Sequence, residues 1–135
     1  MRILALVAAA AMTFSAAGLA LGADIEDENA PRGTFSVDAG NEVNVGSYSF
    51  PLSSSCANRG VTVTVTTAPQ HGKIVVRTGD FTYSTGPVSN CLGKTVSGSQ
   101  VFYKADANYK GADHFDFTVL FQLVKLHKAV DITVN

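Results

Sequence analysis

VFYKADANYKGADHFDFTV, residues 101–119, reads as a strand, a tight corner and a second strand. Val101 and Tyr103 share one face of an extended segment. Asn108, Gly111 and Asp113 supply turn chemistry, and Phe115, Phe117 and Val119 then resume the alternation. A period of two marks a half-buried strand, because successive side chains leave a pleated backbone on opposite faces. Two such strands joined by a corner point to an all-β sandwich or barrel. The corner has its own logic. Gly111 takes a positive φ without steric penalty. Asp113 is expected to accept hydrogen bonds from nearby backbone N–H groups. Tyr109 is expected to fold back over the edge of the core.

Working outward, Val61, Val63 and Val65 alternate with threonines at 62, 64 and 66, a run of β-branched residues that suits both faces of a pleat. Residues 34–38 and 42–50 read as the first two strands, with a Ser-rich loop at 51–60. Residues 73–77 read as a strand that turns back at Thr78-Gly79-Asp80 into an extended stretch carrying Phe81 and Tyr83. Residues 84–99, rich in Gly, Ser and Asn, read as a long loop. After a strand over 114–124, the polar group Lys125, His127 and Lys128 is expected to close a hairpin into a final strand at 129–135. Seven to nine strands and no helix predict an all-β, immunoglobulin-like antiparallel β-sandwich over residues 34–135. The polar, acidic residues 23–33 read as a flexible lead-in. There is no Trp, so the buried Trp of antibody-type domains is missing.

The first 22 residues read as an export signal. Arg2 gives a positive start, residues 3–21 are apolar and Ala-rich, and Ala20-Leu21-Gly22 precedes an expected cleavage before Ala23. The rival reading is an uncleaved anchor, since the stretch is nearly long enough to span a bilayer. No Cys stands near the cleavage point to accept a lipid, and no second long apolar run follows. About 113 residues remain, enough for one domain. Export makes a disulfide between Cys56 and Cys91 the expected state of the two cysteines. A redox or metal role has no support, because there is no Cys-x-x-Cys. The near-balanced charge, without a basic stripe, argues against nucleic acid.

Two stretches together resemble the bacterial immunoglobulin-like and cadherin-like repeat families. The first is Ala68-Pro69-Gln70-His71-Gly72-Lys73-Ile74-Val75. The second is Tyr103, the corner Asn108-Tyr109-Lys110-Gly111-Ala112-Asp113, and Phe115 with Phe117. The resemblance covers residues 61–134 and implies a β-sandwich of the kind found in tandem in large surface proteins. Ala105 stands where those families usually carry Pro, the Cys-bearing loops are additions to the common pattern, and only one copy of the pattern is present.

No catalytic, cofactor or metal residue is expected. Asp106, Asn108 and Asp113 crowd one corner with oxygen ligands, but the closing Glu of a calcium loop is absent, and they read as turn residues. His71, His114 and His127 are the only histidines and lie in separate segments. Gly93-Lys94-Thr95 ends like a phosphate loop but lacks its earlier Gly, and no Gly-x-Ser-x-Gly occurs. Tyr48, Phe50, Phe81 and Tyr83 flank the loops and read first as core edges and second as a binding face. The function expected is that of a non-enzymatic module, periplasmic or extracellular, which binds a protein or glycan at the bacterial cell envelope through loops or a sheet face. A small periplasmic inhibitor or accessory protein acting through loop 84–99 is the alternative. A hydrolase would instead need a histidine beside a carboxylate inside a cleft.

Overall fold

The computed structural model describes the backbone of residues 23–25 and all of residues 32–135. The expected export signal at 1–22 lies outside the described residues. Among the described residues eight strands follow in order: β1 (Ala23–Ile25), β2 (Gly33–Val37), β3 (Glu42–Tyr48), β4 (Thr62–Thr67), β5 (Gly72–Thr82), β6 (Thr95–Ala105), β7 (Gly111–Phe121) and β8 (Val124–Val134). A single 3-10 turn, Ser89–Cys91, interrupts the link from β5 to β6.

The strands form two sheets packed face to face. One runs β4, β7, β8, with β1 and β2 both placed along the far side of β8. The other runs β3, β6, β5. Counted from β2 as the first strand, this pairing is the plan of an immunoglobulin-like sandwich, in which the third, sixth and seventh strands (β4, β7 and β8) face the second, fifth and fourth (β3, β6 and β5). All pairings are antiparallel except those of β1 and β2, which run parallel to β8. Residues 23–25 are therefore strand, and the expectation of a flexible lead-in across 23–33 is corrected on that point.

The core lies between the sheets. Val101, Tyr103, Phe115 and Val119 are fully buried, and Phe117, Val130, Ile132 and Val134 are nearly so. The Tyr103 and Phe115 rings stack 5.9 Å apart, and Phe115 lies 6.0 Å from Phe117. Burying side chains of this size stabilises a fold by about 1.5–3 kcal/mol each, so this stripe carries most of the sandwich. A second, smaller cluster sits at one end: Tyr83, Cys91 and Val96, packed by Cys56, Phe81 and Val88.

Three boundaries differ from the sequence reading. The turn expected at 78–80 does not exist. β5 continues straight through it, because β6 is paired along its whole length and Gly79 stands opposite Gly98. Residues 95–99 are strand rather than loop for the same reason, which shortens the expected loop 84–99 to residues 83–94. The hairpin between β7 and β8 turns at Gln122 and Leu123, with Phe121 paired to Val124 and Gln122 at a φ of 50°. Lys125, His127 and Lys128 lie inside β8. Their polarity suggested a turn, but Val124, Leu126, Lys128, Val130 and Ile132 form one continuous period-two row.

Gly98 is buried because β3 crosses it closely. A Cβ there would run into the carbonyl oxygen of Tyr48 and come within 2.9 Å of the Phe81 ring. Gly98→Ala is expected to destabilise the fold by about 2–3 kcal/mol, since one obstacle is backbone and cannot rotate away. Chemical denaturation would measure this, and an unchanged midpoint would contradict the packing.

Candidate functional site

The two ends of the sandwich differ in chemistry. One end gathers the links β2–β3, β4–β5 and β6–β7, and is held by a polar knot. The Asp113 carboxylate accepts from the backbone N–H groups of Gln70 at 3.0 Å, His71 at 3.0 Å and His114 at 2.9 Å. It also accepts from the buried Tyr103 hydroxyl at 2.7 Å. Asp113 therefore does more than hold its own turn, because its main partners lie more than 40 residues earlier. The two stretches on which the family resemblance rests meet at this one carboxylate.

Burial opposes ionisation of Asp113, but these donors outweigh it and keep the carboxyl below the usual carboxylate range. Burial and the neighbouring carboxylate push the Tyr103 hydroxyl well above its ordinary value. Gly111 takes the expected positive φ, at 134°. Tyr109 folds over the corner, donates to the Ala112 carbonyl at 2.5 Å and stacks on His71 at 3.6 Å. Asp106 and Asn108 are exposed, while the Asp113 oxygens are taken by four donors.

The outer face of the β7–β8 sheet carries His114 between two carboxylates. Its Nε2 is 3.2 Å from Asp116 and its Nδ1 is 3.1 Å from Asp131. Arg32 grips Asp131 through two hydrogen bonds of 2.8 and 3.1 Å and touches the His114 ring. The Arg32 hydrogen bond is the main reason Asp131 stays below the usual carboxylate range. This is the histidine–carboxylate contact that a hydrolase would need, but it stands on an open sheet face rather than in a cleft. Its effect is to clasp the chain before β2 onto β8.

The opposite end gathers the links β3–β4, β5–β6 and β7–β8, and here a cleft of about 850 Å³ opens between the sheets. Its walls carry five aromatic rings: Tyr48, Phe50, Phe81, Tyr83 and Phe121. The four aromatics singled out from the sequence thus meet at one place, where they pack at the edge of the core and line the cleft. Tyr48 meets Phe117 and Phe121 edge-on at 6.0 and 6.4 Å, and Phe50 meets Phe121 at 6.3 Å. Phe81 and Tyr83 belong to the smaller core cluster. All four also face the cleft. Burial pushes the Tyr48 hydroxyl up to about 12, so it remains a neutral group at physiological pH. Leu123, at the tip of the β7–β8 hairpin, is 83% exposed and marks the rim.

Two loops brace this end. Residues 51–60 fold on themselves: Pro51 bridges Asn58, and the Asn58 side-chain oxygen accepts from the N–H groups of Phe50 and Gly60. Residues 83–94 close back through Tyr83 N–H to the Lys94 carbonyl at 2.9 Å and Gly93 N–H to the Tyr83 carbonyl at 2.8 Å. The Cys56–Cys91 disulfide joins the two loops, as expected. The Asn90 amide adds a hydrogen bond to the Ser53 carbonyl.

The sequence reading missed Phe121, Leu123, Leu126 and Lys128 as members of this site. The signal was available in the period-two row of β8, which places Lys128 on the inward face beside Leu126.

Comparison of the chain with protein-family patterns, curated proteins and solved structures gives no match.

Proposed function

We propose that this chain is an exported, non-enzymatic binding module of the bacterial cell envelope, and that it takes its ligand in the loop-end cleft. The observation that carries this reading is the cleft itself. It has the size of a ligand site, aromatic walls of which Tyr48, Phe81 and Phe121 stand on strands, and a disulfide bracing the loops beside it. A pre-braced site loses little conformational entropy on binding. Of the protein and glycan partners expected from the sequence, the apolar walls favour a ligand that brings an apolar group over the hydroxyl-rich face of a glycan. The inhibitor reading is less favoured, because residues 83–94 are tied down at both ends and through the disulfide rather than protruding.

The neutral dye Nile red tests the site directly. It is expected to bind the protein saturably at one site, with a blue-shifted emission. Leu123→Asp combined with Val124→Asp, both on the exposed rim, should weaken that binding about tenfold, the loss expected for a few tens of Å² of apolar contact plus charge desolvation. No saturable binding, or equal binding by the rim variant, would count against the cleft.

A further inference from the structure

We infer that the ligand of this cleft is an amphiphile with a single negative head, a free long-chain carboxylate. The inference rests on the cleft reading above and narrows it by charge. Among the described residues, the lining includes one charged side chain, Lys128, and no carboxylate. That lysine stands where the fold would favour an apolar residue. It lies on the inward row of β8, between Leu126 and the buried Val130, and its register partner is the core residue Phe117. Lysine at such a position lays its methylene stem along apolar surface and carries its ammonium to the mouth. Lys128 is itself exposed, so the charge is at the water-facing side of the cleft.

A polarity gradient follows. Tyr83, only 5% exposed, is the least exposed of the lining rings, and the charged Lys128 is at the accessible side. A ligand that matches this gradient places an apolar chain among the rings and an anionic head at the ammonium. An aromatic-lined cleft also invites the opposite idea, a quaternary ammonium ligand held by ring faces. Charge decides against it. Such a cage gains from a carboxylate nearby, whereas the one ionised group among the described lining residues is positive and repels a cation. A cleft of about 850 Å³ also exceeds what a compact trimethylammonium head would fill. A neutral apolar ligand would fit the rings but would leave the lysine without a purpose.

The experiment uses the chain expressed from its first residue and purified after export. Four probes of matched length are titrated by calorimetry or by displacement of Nile red: hexadecanoate, hexadecanol, hexadecyltrimethylammonium below its micelle concentration, and vesicles of phosphatidylglycerol. Hexadecanoate is expected to bind one to one, about fivefold to tenfold more tightly than the alcohol, the range of an ion pair at a partly dry mouth. Raising salt should erode that preference without weakening the alcohol. Lys128→Gln should bring the carboxylate to the level of the alcohol, and a circular-dichroism spectrum and urea midpoint matching the parent show that the variant is folded.

Equal binding of carboxylate and alcohol, tightest binding of the cation, or a Lys128→Gln variant that keeps the carboxylate preference would each overturn the inference. Binding to vesicles without binding to free hexadecanoate would overturn it as well. In these cases a retained Nile red signal leaves the cleft reading standing, and loss of all four probes together with Nile red removes both.

Discussion

Asp113→Ala is expected to destabilise this protein by about 3–4 kcal/mol, the largest single effect outside the aromatic core. The residue is 8% exposed, and the substitution removes one acceptor from four donors. Each buried donor left without a partner costs about 1–3 kcal/mol. The Tyr103 hydroxyl retains one alternative, the His71 carbonyl at 3.1 Å, and the amide of the exposed Gln70 can reach water. The total is therefore well below the sum of four full penalties.

Asp113→Asn should recover little of this loss. Asp113 Oδ1 faces the N–H groups of Gln70 and His114, and Oδ2 faces the His71 N–H and the Tyr103 hydroxyl. Whichever side the amide nitrogen occupies, it points a donor at a donor. Urea denaturation of both variants would measure the effect. An Asn variant as stable as the parent would refute the four-donor geometry.

The same knot sets a pH dependence. The folded-state pKa of Asp113 is depressed, so its stabilisation is present above the unfolded carboxylate value of about 4 and is lost as pH falls through the folded value. Tyr103 and Tyr48 are shifted up. Their contribution is complete below the unfolded tyrosine value of about 10 and is lost as pH rises through the folded value. Denaturation midpoints should therefore be flat through neutrality and fall at both extremes. In Asp113→Ala the acid decline should be shallower.

Replacing Cys56 and Cys91 by alanine together is expected to remove about 3–4 kcal/mol, the chain-entropy value for a link spanning 35 residues. The loss should be local in its structural consequences. Neither cysteine belongs to the main core, whose strands are paired without them. Hydrogen exchange should accelerate in residues 51–58 and 83–94 and stay slow in β6 and β7. Because those two loops flank the cleft, Nile red should bind more weakly to the double variant even where the sheets remain intact. Uniform loosening of both sheets, or loops as protected as before, would show that the bridge has a different role.

Much of this architecture was legible in the chain. The alternation Phe115, Phe117, Val119 and the valines of β4 announced strands, because a strand with one buried face has to repeat every two residues. Two cysteines in a chain that reads as exported pointed to their own pairing. Local signals failed where a neighbouring strand overruled them. Thr78-Gly79-Asp80 has turn chemistry, yet it stays extended because β6 supplies a partner at every step. Lys125, His127 and Lys128 have loop polarity, yet they are strand because β7 pairs with them through Leu120, Thr118 and Phe117.

The candidate site was visible only as parts. Tyr48, Phe50, Phe81 and Tyr83 could be named from the sequence, but their meeting with Phe121 and Lys128 at one end depends on how two sheets are stacked. Side-chain periodicity is a property of a single segment, and it determined the all-β character of this protein. Which segments become neighbours depends on closing loops tens of residues long. Only the packed sandwich therefore decided that Asp113 would bind the turn before β5, that the histidine–carboxylate contact would stand on an open face, and that one lysine would look into an aromatic cleft.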